Sequence, residues 1–212
     1  MKNVRKYVSL LLCAVLLVAG SVAGTLAYLK DSTDTVTNTF TVGNVEFDEE
    51  DDELAGGLDE VKVDEYGVVD DTATKRVLEN SYKLIPGHTY VKDPTVHIAS
   101  TSEPAIVFVE VVDAIADIED TTTVAAQMTA KGWAQIDTDS NIWCKMDGNK
   151  PAKVAAGADL VVFENFTIKS DVTESDLEAY KGKTITIKAF AVQYDGWDLD
   201  TDTAADIYAA AF

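Results

Sequence analysis

The chain has 212 residues, with 17 Lys and Arg against 37 Asp and Glu, and a formal net charge of −20. So acidic a surface repels phosphate backbones, which argues against nucleic acid as a partner. It suits a soluble extracellular protein and attracts divalent cations.

Residues 1–43 carry the first signal. A basic start (Lys2, Arg5, Lys6) leads into an apolar run from Tyr7 to about Leu29, and the chain then turns polar at Lys30-Asp31-Ser32. This is the layout of a secretory signal peptide, a helical apolar core followed by small side chains where a peptidase must fit. Two stretches satisfy the small-x-small rule, Ser21-Val22-Ala23 and Thr25-Leu26-Ala27. The alternative is an uncleaved anchor, since the run approaches the ~20 residues that span a bilayer. Gly20, Ser21, Gly24 and Thr25 dilute its apolar character and favour cleavage. Cys13 leaves with the leader, so Cys144 stands alone and no internal disulfide forms.

Beyond the leader, strand signals dominate. Residues 35–42 alternate without a break, with threonines at odd positions and Val36, Asn38, Phe40 and Val42 at even ones. A strand sends successive side chains to opposite faces, so this segment has one apolar and one hydroxyl edge. Six acids at 48–53, followed by Gly56-Gly57, predict a mobile loop. Further strands are expected at 61–66, 76–84, 95–99, 105–114, 133–137, 142–146, 159–168 and 184–194. Ile106, Phe108, Glu110 and Val112 share one face of 105–114 and Val107, Val109 and Val111 the other, which predicts a strand central to the core. Asp137-Thr138-Asp139-Ser140-Asn141 reads as a hairpin turn, and Pro86-Gly87 and Asp147-Gly148 mark others. Helical patches are short: 122–131, with Val124, Ala125 and Met128 at helical spacing before Gly132; 173–180, opening on Thr173-x-x-Asp176; and 203–210. The expected fold is all-β, an antiparallel two-sheet sandwich with short helical insertions.

Two blocks resemble a known family. The first is Gly24-Thr25-Leu26-Ala27-Tyr28-Leu29-Lys30-Asp31, followed by Asn38-Thr39-Phe40-Thr41-Val42-Gly43-Asn44-Val45. The second is Tyr82-Lys83-Leu84-Ile85-Pro86-Gly87, then Lys92-Asp93-Pro94-Thr95-Val96, then 102–111. Together they cover about a third of the chain and resemble the TasA and camelysin (CalY) group of Gram-positive bacteria, whose leaders are removed by the signal peptidase SipW. The resemblance implies cleavage after Ala27, with Thr25, Ala27 and Tyr28 as the cleavage region, and a jelly roll of two sheets. Cleavage there removes Lys2, Arg5 and Lys6, leaving 212 − 27 = 185 residues and a charge of 14 − 37 = −23. The organisation is then a signal peptide (1–27), an N-terminal extended segment (28–43) and a sandwich domain (44–212). The resemblance further implies a structural subunit of cell-surface or biofilm-matrix fibres, in which the freed N-terminus is donated to a neighbour's sheet. Val36, Phe40 and Val42 would be its anchors. The expected partners are the SipW-type peptidase, further copies of the chain and accessory matrix proteins, with membrane contact only before cleavage.

The residues offer little for catalysis. Camelysins are associated with metal-dependent proteolysis, but no H-E-x-x-H occurs, and His88 and His97 stand nine residues apart with Pro94 between them. Asp195, Asp198, Asp200 and Asp202 invite a weak calcium site. However, Thr203 stands where an EF-hand needs glycine and Ala209 where it needs glutamate. No Gly-rich phosphate loop and no G-x-S-x-G elbow appear, and Cys144 reads as a buried structural thiol. The expectation is a non-enzymatic subunit without a cofactor. The alternatives are a camelysin-like surface metallopeptidase and a monomeric calcium-binding wall or adhesion module.

Overall fold

A strand that is apolar on both faces must be covered on both, and β4 (Ala105–Asp113) is the strand around which this fold is built. The computed structural model describes residues 44–48, 57–137 and 140–212. The leader, the cleavage residues Thr25, Ala27 and Tyr28, and the anchors Val36, Phe40 and Val42 lie outside the described residues.

β4 lies between β10 (Ile185–Gln193) and β6 (Ile142–Asp147), both antiparallel to it. β5 (Trp133–Gln135) pairs with the far side of β6, closing the hairpin expected around 137–141, and β7 (Lys150–Pro151) pairs with β6 through the Asp147-Gly148 turn. Val107, Val109 and Val111 enter the main core, while Ile106 and Phe108 enter a second cluster on the opposite face.

The other side of the main core is a bent antiparallel ribbon. β2 (Thr89–Val91) pairs with β9 (Asn165–Thr167), and β3 (Thr95–His97) pairs with β8 (Asp159–Val161). β1 (Leu58–Asp59) extends the β3 side. The ribbon kinks at Pro94, which has no N–H to give to a ladder. Val162 and Phe163 opposite are both fully buried, so the alternation of a straight strand breaks there. This is why residues 159–168, expected as one strand, form two.

Among the described residues, three α-helices complete the fold. In α1 (Val124–Ala130) Thr123 accepts from the N–H of Ala126, and Val124 and Met128 are buried. Gly132 supplies the left-handed backbone (φ 79°) that ends the run. α2 (Glu174–Leu177) and α3 (Ala204–Ala211) each start with a reciprocal capping box, Thr173 with Asp176 and Thr203 with Asp206. α3 covers the second cluster with Ala204 and Ile207, against Ile106, Phe108 and Cys144.

Two expected strands are corrected. Residues 61–66 form a turn, because Asp64 accepts from the N–H groups of Tyr66 and Val68, both at 2.9 Å. Residues 76–84 are irregular apart from a single bridge, Val77 to Glu60. There the side chain of Asn80 takes the place of a ladder, accepting from Val63 N–H (3.0 Å) and donating to Val61 C=O (2.8 Å). The coarser expectation stands: the described chain is mainly β, in antiparallel sheets, with few helices.

Candidate functional site

β10 is nine residues long and pairs with β4 along its whole length. Among the described residues no strand pairs with its outer edge. Its inward side chains Ile185, Ile187, Ala189 and Ala191 touch the main core but stay only half-buried, while Val107, Val109 and Val111 beside them are buried. Among the described residues, this half-open inward face has no neighbouring strand beyond it.

A groove of about 1050 Å³ runs along this edge. Leu58, Tyr82, Leu84, Leu177, Ile185 and Ile187 make its apolar lining. The capping box of α2 sets Leu177 in place. The wall formed by residues 78–84 is held through two phenols. Tyr82 donates to the C=O of Val91 at 3.0 Å, and Tyr90 donates to the C=O of Lys83 (2.6 Å) while accepting from Ile85 N–H (2.7 Å). Burial first, and the charge of Glu60 second, push the Tyr82 phenol above its ordinary pKa, so it stays a neutral donor. Lys181, Lys183 and Lys188 border the groove together with Glu79, Glu174 and Glu178, so its rim carries both signs of charge. The arrangement can take up an extended apolar segment: the sheet edge offers backbone hydrogen bonds, and the groove offers pockets for alternate side chains.

The residues singled out for chemistry fall elsewhere: the two histidines make separate contacts, and the aspartates of 195–202 meet one another only through local backbone bonds. His88 places Nε2 2.8 Å from the C=O of Tyr66. His97, on β3, lies between Asp159 (Nδ1 to Oδ1, 2.7 Å) and Asp59 (Nε2 to Oδ1, 3.0 Å). Asp59 also pairs with Arg76, whose Nη1 lies 3.0 Å from Asp93 Oδ2. The aspartates of 195–202 have local partners: Asp195 faces Lys153 (3.5 Å) and Asp200 pairs with Lys150. Asp198 accepts from Asp200 N–H (3.1 Å), and Asp202 accepts from Asp198 N–H (2.8 Å). Among the described residues no group of three or more His, Cys, Asp or Glu is placed to hold a metal ion. Burial pushes the Cys144 thiol up to about 12, which leaves it without thiolate character at neutral pH.

Sequence reasoning missed the groove, because its walls come from segments far apart along the chain. It also missed Glu119, which is 2 % exposed. One of its carboxyl oxygens accepts from Val124 N–H at 3.0 Å; the other is buried, and among the described residues no hydrogen bond of ordinary geometry reaches it. Comparison with family models, with characterised proteins and with solved structures finds no match.

Proposed function

We propose that this chain is a secreted structural subunit of cell-surface or biofilm-matrix fibres, of the TasA and camelysin kind. Its leader is removed after Ala27 by a SipW-type peptidase, and residues 28–43 of one copy then add as a strand to the next. The observation that carries this reading is the nine-residue edge of β10, which no described strand pairs, beside an apolar groove. A sheet edge with open N–H and C=O groups invites pairing unless something covers it. The alternating segment 35–42 has the period such an edge requires, with Val36, Phe40 and Val42 on one side. Antiparallel sheets that share one core also accord with the jelly roll that the resemblance implies.

The test uses the mature chain beginning at Tyr28, imaged by electron microscopy over a range of concentrations. Burying one large apolar side chain contributes roughly 1.5–3 kcal/mol. Phe40→Asp and deletion of residues 28–37 should therefore abolish filaments while leaving the thermal midpoint of the monomer unchanged. Ile187→Asp, at the receiving edge, should abolish them as well. Filaments that persist after the deletion would sink the reading.

A further inference from the structure

Glu60, Asn80 and Lys92 form a cluster whose chemistry strand addition does not use. Glu60 is 3 % exposed and Lys92 is 8 % exposed. The ammonium Nζ of Lys92 lies 2.5 Å from Glu60 Oε2. The other oxygen of the same carboxylate, Oε1, accepts from Asn80 Nδ2 at 2.9 Å. One carboxylate therefore bridges an amine and a carboxamide, and makes them neighbours. The Asn80 carbonyl oxygen accepts from the backbone N–H of Val63 at 3.0 Å, and Nδ2 also donates to the C=O of Val61 at 2.8 Å. The carboxamide is held in one orientation on every side.

A buried Lys–Glu pair is a poor choice for stability alone, since desolvation offsets most of the attraction between the charges. It is well suited to proton transfer. The geometry points to a covalent modification at this site: an intramolecular isopeptide bond between Lys92 Nζ and Asn80 Cγ, with Glu60 as the proton carrier.

Each atom of the cluster has a part in that step. Lys92 passes a proton to Glu60 Oε2 and becomes a neutral amine. Nζ attacks Cγ, and the charge that develops on Asn80 Oδ1 is met by the Val63 N–H already aimed at it. Glu60, whose Oε1 faces Nδ2, delivers the proton to the leaving nitrogen, and the Cγ–Nδ2 bond breaks as the Nζ–Cγ bond forms. Of the three protons on the Lys92 ammonium, one stays on the new amide. The other two depart with the asparagine NH₂ as an ammonium ion. Nothing is oxidised or reduced, and no co-reactant is needed. Fixed neighbours in a water-poor setting supply the orientation that an amine and an amide in solution lack.

The bond would tie the groove wall at Asn80 to the residue just after β2, 92 − 80 = 12 positions along the chain. A fibre under load gains from a covalent staple at that point, because the wall could not peel away from the ribbon.

The experiment is high-resolution mass spectrometry of the purified full chain, followed by proteolysis and tandem analysis. The expected result is a mass below the sequence mass by one molecule of ammonia, and a branched peptide joining the Asn80 and Lys92 fragments. Lys92→Arg keeps the cation and its ion pair but removes the nucleophile, so it should show the full sequence mass with its circular dichroism unchanged. Glu60→Gln and Asn80→Ala should also lose the deficit. A folded parent at the full sequence mass overturns the proposal. So does an ammonia deficit that survives in Lys92→Arg, which would mark a succinimide at Asn80-Ser81 instead.

Discussion

His97 directs Nδ1 at Oδ1 of Asp159 across 2.7 Å, and its other ring nitrogen meets Asp59 at 3.0 Å. Carboxylates only accept, so both nitrogens must carry protons for both bonds to form. Burial opposes the charged ring, but the hydrogen bonds to Asp159 and Asp59 outweigh it and hold the His97 pKa above its ordinary value. A folded pKa above the unfolded one means that the folded state binds the proton more tightly. The stabilisation is thus fully present below about pH 6.5 and is lost as the pH rises through the folded value. His97→Gln should cost about 1 kcal/mol at pH 5.5, discounted for partial exposure, and almost nothing at pH 9. Urea unfolding at the two pH values checks this, and an equal loss at both would contradict it.

Glu119 adds a second dependence of the same sign. Burial first, and the neighbouring charge of Asp113 second, push its pKa up to about 7 from about 4.5. An acid with a raised folded pKa favours the folded state while protonated, so stability declines as the pH climbs from about 4.5 through 7. Glu119→Gln keeps an acceptor for Val124 N–H and cannot ionise. The substitution should raise the thermal midpoint at pH 8, by ~2–4 °C for each kcal/mol relieved, and change little at pH 5. Scanning calorimetry of parent and variant at both pH values decides the matter.

Phe166 stacks on Tyr90 with ring centres 4.9 Å apart and an interplanar angle of 16°, and Tyr82 meets its face edge-on at 5.1 Å. All three belong to the main core, between the ribbon and the larger sheet. Phe166→Ala should lower unfolding stability by about 3–5 kcal/mol, and Phe166→Leu by much less. Guanidinium denaturation with an unchanged slope would show that the loss belongs to the folded state.

The second cluster depends on α3. Ile207 is fully buried over Cys144, and the rings of Tyr208 and Phe212 surround Phe108 and Phe190. In the intact protein, Cys144 should fail to react with an aromatic disulfide reagent under native conditions. Removing residues 203–212 should bring rapid reaction and a fall in stability. A thiol that reacts equally fast in both forms would contradict the covering role of α3.

Charge should govern assembly. Each mature subunit would carry 14 − 37 = −23, and like charges repel before a donor segment can seat. Screening shortens from about 30 Å at 0.01 M salt to about 8 Å at 0.15 M. Filament growth, followed by light scattering, should therefore accelerate over that range. Growth that slows with added salt would instead assign the joint to ion pairs between subunits.

The amino-acid pattern alone determined the local elements that bury a face. β4 is legible because Val107, Val109 and Val111 alternate with Ile106 and Phe108, and a two-faced apolar strand has only an interior place to go. The spacing of Val124 and Met128 and the cap at Thr173 marked two of the helices, because those signals act within a single turn. Periodicity reports which face is buried and says nothing of which segment lies against it. Residues 76–84 have the composition of a strand, yet Asn80 satisfies Val61 and Val63 with its side chain and no ladder forms there. The edge of β10 that no described strand pairs, the groove between Leu58 and Ile187, and the meeting of Glu60, Asn80 and Lys92 are decided only when distant segments pack. Each rests on neighbours supplied by the whole chain, because burial and polar pairing are settled across space and not along the sequence.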